Sequence, residues 1–294
     1  QSDPPLTGVE TARSAAPTAS PSEKTGDFQA PPLAVAEFHP DAAMGSGGAL
    51  LDLSALSQGY VAVSARSQSR LKFQVVFGDL TYNYDLASDG TPSIFPLQCG
   101  NGTYLFRVME NVSESRYAEL YADSAQVTME SEFSPFLCNS DYVAYNKTSR
   151  CVQKAGEIAS AASGTVDVVA GVYQFVCDNI TYDREKAMSV QSGYLPNPDA
   201  TLEEGKGICF DYAALAAAML RSQGIPTKMV LGYVSPNDLY HAWNMFYTTE
   251  TGWVTVGFEA GGDRWNRIDL TFSAGGADGQ FIGDGSNYTD LYYY

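Results

Sequence analysis

"GKGICFDYAALAAAML" runs from residue 205 to residue 220, and its reading decides the fold. Phe210, Ala214, Leu215, Ala218 and Met219 recur at helical spacing, which predicts a helix over about 209–222. An alanine-rich surface lets neighbouring backbone come close, so this helix is expected to be central and buried. Gly224 and then Pro226 supply its stop. Cys209 falls in the first turn. Helix N-termini present free N–H groups and the positive end of the helix dipole, and both lower a thiol pKa. Gly205 and Gly207 are expected to let a substrate backbone approach the sulfur. Asp211 is expected to serve the first turn as a dipole-favoured residue or a structural hydrogen bonder. Taken alone, a helix-terminal cysteine reads equally well as a small core residue.

The downstream sequence tips that balance. "KMVLGYV" (228–234), "YHAWNMFY" (240–247) and "WVTVGFE" (253–259) read as strands, with "RWNRIDLTF" (264–272) as a fourth. The chain has two histidines. His39 lies in "EFHPD" with no partner visible in sequence. His241 lies on a strand, sharing a face with Trp243, Met245 and Tyr247. A strand histidine downstream of a helix-terminal cysteine suggests a thiolate–imidazolium pair. A third group should orient the imidazole. Asp269 sits among apolar residues, where a carboxylate is expensive unless paired. It is expected to accept a hydrogen bond from the far nitrogen of His241. Asp263, in the turn-like "GGDRW", is the second choice.

Upstream, residues 150–163 and 165–178 carry helical periodicity, with Val169, Val172 and Val176 on one face and Cys177 near it. "NITYD" (179–183) breaks the second helix, and residues 192–207 read as a loop. Helices followed by antiparallel strands indicate an α+β domain. Residues 45–135 look all-β, with strands at 59–65, 71–77, 103–110 and 125–131, and favour a small β-sandwich. "DLASDG" within it reads as a turn, since most ligands of a calcium loop are missing. Residues 1–32 are rich in Pro, Ser, Thr, Ala and Gly and read as a disordered linker. The expected organisation is a linker over 1–44, a β-sandwich-like domain over 45–137 and a catalytic domain over 138–294.

The chain of 294 residues has 34 acids against 17 bases and a net charge of −17. Phosphate backbones need clustered Lys and Arg, so nucleic acid is not an expected partner. No apolar run approaches a membrane span. Five cysteines are present: Cys99, Cys138, Cys151, Cys177 and Cys209. The odd count leaves one thiol free even if others pair, and Cys138 and Cys151 are close enough in sequence to be one pair. Asn-x-Ser/Thr triplets begin at Asn101, Asn111, Asn146, Asn179 and Asn287, and matter only in a glycosylating host. The non-Met start and the linker composition suggest an extracytoplasmic protein, secreted or lipid-anchored, with cell-wall association as one expectation.

The 205–233 stretch, followed by "YHAWNMFY" and then "W…IDLTF", resembles the transglutaminase-like superfamily. The shared pattern is a Gly-x-Cys helix start, a His-Ala-Trp strand and an Asp-x-Thr segment, in that order, over roughly residues 140–275. The resemblance implies a papain-like fold, with the nucleophile helix packed on an antiparallel sheet. Cys209 matches the nucleophile, His241 the base and Asp269 the orienting acid. Leu270 departs from the pattern, where the family often has proline. The implied chemistry is attack of Cys209 on a carboxamide or peptide carbonyl of a protein, giving a thioester. Crosslinking, deamidation or hydrolysis follows according to the acceptor. The backbone N–H of Cys209, with Tyr194 as a side-chain donor, is expected to meet the oxyanion. Two other readings stand beside this one: a cysteine peptidase acting on cell-wall or other peptides, and a non-catalytic surface binding protein that keeps the fold. No metal or organic cofactor is called for, and two distant histidines without paired cysteine spacing speak against zinc.

Overall fold

A computed structural model describes residues 26–234, 239–261, 264–269 and 288–294. The first half is built from two four-stranded antiparallel sheets. One contains β1 (Met44–Ser46), β2 (Ala49–Asp52), β3 (Tyr60–Ala65) and β6 (Ser93–Pro96), in the order β1-β2-β3-β6. The other contains β4 (Leu71–Phe77), β5 (Leu80–Leu86), β7 (Gly102–Ser113) and β8 (Arg116–Val127), in the order β5-β4-β7-β8. Alternation sets the faces. Leu71, Phe73 and Val75 of β4 point inward, as do Tyr82, Tyr84 and Leu86 of β5. Phe95 of β6 packs on Phe73 and Tyr84 of the other sheet, at ring-centroid distances of 5.0 and 4.3 Å. The two sheets therefore share one aromatic core, as the sandwich reading expects. The sequence reading missed β1, β2, β5 and β6, and extended the last strand to 131, whereas β8 ends at Val127.

The second half places helices against a mixed-length sheet. The helices are α1 (Arg150–Ser160), α2 (Thr165–Asn179), α3 (Arg184–Ser189), α4 (Pro198–Glu204) and α5 (Cys209–Ser222). Between them, β9 (Thr181–Tyr182) pairs in parallel with β10 (Lys206–Gly207). The sheet consists of β11 (Thr227–Val234), β12 (Leu239–Thr248), β13 (Gly252–Gly261), β14 (Arg264–Asp269) and β15 (Tyr288–Tyr293), in the order β14-β13-β12-β11-β15, all antiparallel. Helix α5 lies where the sequence predicts. Every residue from Tyr212 to Leu220 is buried, which is the signature of a helix enclosed on all sides. It packs on β11 and β12 with one face and against α1, α2 and α4 with the others. The stretch 192–207, read as a loop, contains α4. Asn197 caps it by accepting the Ala200 N–H at 3.0 Å, and Pro198 occupies the first helical position.

Arg221 joins the layers. It is fully buried, and its Nε, Nη1 and Nη2 donate to the carbonyls of Thr227, Cys138 and Tyr294 at 2.8, 2.9 and 2.6 Å. Residues 26–44, expected to belong to the linker, run along the surface and are pinned at several points. Gly26 and Phe28 donate backbone hydrogen bonds to Ser160 and Ala162, and Ala36 donates to Asn139. His39 does have a partner: its Nδ1 lies 3.0 Å from the carboxylate of buried Asp52. All five cysteines are free, so the suggested Cys138–Cys151 bond is not formed. Among the described residues, no helix is long and apolar enough to cross a membrane.

Candidate active site

Helix α5 begins without a side-chain cap, because its N-cap residue is the apolar Ile208. The first-turn N–H groups therefore receive no side-chain oxygen from the N-cap residue. One partial substitute exists. Asp211, the third helical residue, reaches back and accepts the Ile208 N–H at 2.9 Å. Asp211 is fully buried and has two further partners. Tyr194 donates its hydroxyl to Asp211 Oδ1 at 2.5 Å, and Lys186 places Nζ 2.8 Å from Oδ2. Lys186 also donates to the Tyr194 hydroxyl at 2.6 Å, with its ammonium 4.5 Å from the ring centre. One carboxylate thus ties α3 and the loop after it to the start of α5.

The glycines before Cys209 serve this arrangement. Gly205 adopts φ +64° as the left-handed stop of α4, a conformation that favours glycine. A Cβ on Gly207 would lie 2.7 Å from the Asp211 Cβ, so its bareness makes room for the carboxylate.

Cys209 and His241 open into the same cleft, a cavity of about 620 Å³. Its walls come from α3 and the following loop, from the start of α5, from β12 and from the chain around β15. Tyr194 lines it as well, but its hydroxyl proton is engaged by Asp211. Burial, and then the Asp211 carboxylate, push the Tyr194 hydroxyl up to about 12, so the proton stays in place.

Among the described residues β12 pairs with β13 only from Asn244 to Thr248, while Tyr240, His241 and Ala242 line the cleft. The Ala242 N–H faces the Cys209 sulfur there. Burial nonetheless pushes the thiol up to about 11; the N–H groups of Ala242 and Phe210 pull the other way, and Asp211 adds to the rise. The helix dipole alone suggested a lowered value. The difference is physical: neighbours brought in by the tertiary fold strip water from the sulfur, and that penalty exceeds the help of a few N–H dipoles.

Asp269 ends β14 opposite Val256, which in turn lies opposite Asn244. The backbone of Asp269 therefore shares a rung with Asn244, three residues along β12 from His241. Glu259 of β13 pairs with Asn266. The second-choice acid, Asp263, lies outside the described residues, as do Leu270 and Asn287. Asp211 and Lys186 are the site residues whose partnership sequence reasoning missed. Among the described residues, no group of three or more His, Cys, Asp or Glu is gathered as a metal site.

Residues 152–258 match the family model of the transglutaminase-like superfamily. The chain carries a transglutaminase-like core. That core spans α1 to β13 and includes Cys209 and His241, whereas Asp269 lies beyond its matched end. No curated protein matches the chain. Similar solved structures include a Cytophaga hutchinsonii chain named "Putative Cysteine Protease" (16% identity, covering 65% of this chain and 67% of that one, TM-score 0.37). Red sea bream transglutaminase overlaps at 13% identity over 72% of this chain and 48% of its own, with a TM-score of 0.30. A Parabacteroides distasonis chain named "putative protease" overlaps at 13% identity, 76% and 42% coverage, and a TM-score of 0.29. The chain thus spans less than half the length of the last two.

Proposed function

We propose that the transglutaminase-like core catalyses cysteine-dependent acyl transfer on carboxamide or peptide bonds of proteins. The observation that supports this most is the meeting of Cys209 and His241 in one cleft, with the thiol at the uncapped start of a buried helix. In the resting enzyme the thiol keeps its proton. On substrate binding His241 takes it, and the sulfur attacks the carbonyl carbon. The resulting oxyanion is met by first-turn N–H groups of α5, that of Cys209 among them. Collapse expels the amine, which leaves with the proton held by His241, and a thioester remains. An acceptor amine or water then gives a proton to His241 and attacks the thioester. That proton returns to the departing sulfur. Asp269 is the proposed orienting acid for His241. Tyr194 serves as an oxyanion donor only if its proton leaves Asp211.

Incubation with a glutamine-bearing protein and a labelled amine, with ammonia release and peptide cleavage followed in parallel, tests the proposal. Wild-type activity in one channel and none in Cys209→Ala is the expected result; equal activity in both proteins contradicts it. Cleavage of cell-wall peptides without amine incorporation would favour the peptidase reading. An extracytoplasmic location, secreted or lipid-anchored, remains part of the proposal, resting on the composition of residues 1–32. Fractionation of whole cells tests it, and a purely cytosolic protein contradicts it.

A further inference from the structure

The walls of the cleft bear on what reaches Cys209. Six of its described lining residues are tyrosines: Tyr142, Tyr182, Tyr194, Tyr240, Tyr292 and Tyr294. None of the described lining residues is Asp, Glu, Lys or Arg, although the chain carries 34 acids and 17 bases. Charges behind the wall are paired: Asp211 with Lys186, Asp85 (which lies against Gly193) with Arg70, and Asp183 with Lys206. The rings are held before any substrate arrives. Tyr142 stacks on Tyr294 with centroids 4.2 Å apart and planes 4° from parallel, and Tyr292 meets Tyr82 edge-on at 5.5 Å. At the mouth, Tyr240 is 51% and Tyr292 39% exposed, and Met188 of α3, beside the lining residues, is 82% exposed.

Such walls discriminate by desolvation. An ionised side chain pressed against them gives up water and meets no Asp, Glu, Lys or Arg among the described lining residues, which is costly. An aromatic or aliphatic side chain gains burial, and an aromatic one also gains ring contacts in preformed geometry. An extended backbone can lie along Tyr240, His241 and Ala242, which among the described residues pair with β11 and not with β13. We infer that the cleft selects an uncharged protein or peptide segment, with aromatic or aliphatic side chains flanking the reacting amide, and discriminates against segments with Asp, Glu or Lys beside it. This inference rests on the acyl-transfer reading for the identity of the reacting group, but recognition itself needs no chemistry.

The test uses the full chain carrying Cys209→Ala, so that binding is measured without turnover. Labelled glutamine peptides of one length, with Tyr-Phe, Gly-Ser, Glu-Glu or Lys-Lys flanks, are compared by fluorescence anisotropy. The Tyr-Phe peptide is expected to bind about tenfold or more tightly than either charged peptide. A second substitution, Tyr240→Ser or Tyr292→Ser, is expected to erase most of that preference. Equal affinities, tighter binding of a charged peptide, or tighter binding of a cell-wall stem peptide or its sugars than of the Tyr-Phe peptide would overturn the inference. Absence of acyl transfer in wild type together with the expected binding order would sink the catalytic reading and leave the inference standing.

Discussion

Asp211→Asn probes the carboxylate on which one wall of the cleft hangs. The side chain keeps its shape and loses its charge. In the wild type, Oδ2 accepts from Ile208 at 2.9 Å and faces Lys186 at 2.8 Å, while Oδ1 accepts from Tyr194 at 2.5 Å. An amide can serve one side only. If its oxygen stays with Ile208 and Lys186, its NH₂ group points at Tyr194, whose proton must then turn away. Hydrogen bonds to charged groups contribute about 1.5–3 kcal/mol each, and breaking a buried pair costs about 3–5 kcal/mol. Lys186 is a quarter exposed and can turn to water, which discounts the second figure. Asp211→Asn is therefore expected to cost about 2–4 kcal/mol. Urea unfolding of wild type, Asp211→Asn, Tyr194→Phe and the double variant gives both the loss and the coupling. A coupling of about 1–3 kcal/mol between Asp211 and Tyr194 is expected. A loss below about 0.5 kcal/mol, or strict additivity, would refute the view that this carboxylate holds the wall.

Three further outcomes follow from the same structure. Burial holds the Cys209 thiol up to about 11, so its iodoacetamide reactivity in the free protein should keep rising with pH beyond 9; a plateau at or below neutral pH would show a resting ion pair instead. Arg221→Met takes a donor from three carbonyls, those of Thr227, Cys138 and Tyr294, the last of which keeps the Met229 N–H, and should cost about 2–5 kcal/mol in thermal or urea unfolding; a loss under about 1 kcal/mol contradicts its joining role. Asp199 accepts the Arg150 and Cys151 N–H groups at 3.0 and 2.9 Å and so caps α1 from another segment. Burial works against its charge, but these donors outweigh it and hold its pKa below the usual value. A lowered folded-state pKa gives stability that is present above the unfolded value of about 3.9 and is lost as pH falls through the folded one. Asp199→Asn should thus cost about 1 kcal/mol at pH 7, with the difference shrinking below about pH 4. A difference independent of pH would contradict this.

The legible parts of the molecule were those with strong local signals. Periodicity marked α5 at its observed ends, Cys209 to Ser222, and alternation marked β11 to β13 within one or two residues. Cys209 and His241 could be named because each sits on such an element. Helix α4 was overlooked although its Asn-Pro start is a local signal. Other features have no local trace. The partners of Arg221 lie up to 83 positions away in sequence. The alliance of Asp211 with Lys186 and Tyr194 depends on a loop folding back over the helix start. The tyrosine-rich strand β15 becomes a cleft wall only by pairing with distant β11. The thiol pKa shows the limit most clearly. A dipole argument uses residues near in sequence, whereas desolvation comes from residues near in space.

The central claim is that Cys209 becomes acylated with the help of His241. Rapid acid quench of the enzyme with a glutamine donor protein, followed by mass spectrometry of the Cys209 peptide, tests it most directly. The account predicts a donor acyl group on the Cys209 sulfur, absent in Cys209→Ala and reduced at least about a hundredfold in rate in His241→Ala, within the usual range for loss of a general base. Product formation by Cys209→Ala, or unchanged acylation of Cys209 in His241→Ala, would contradict it.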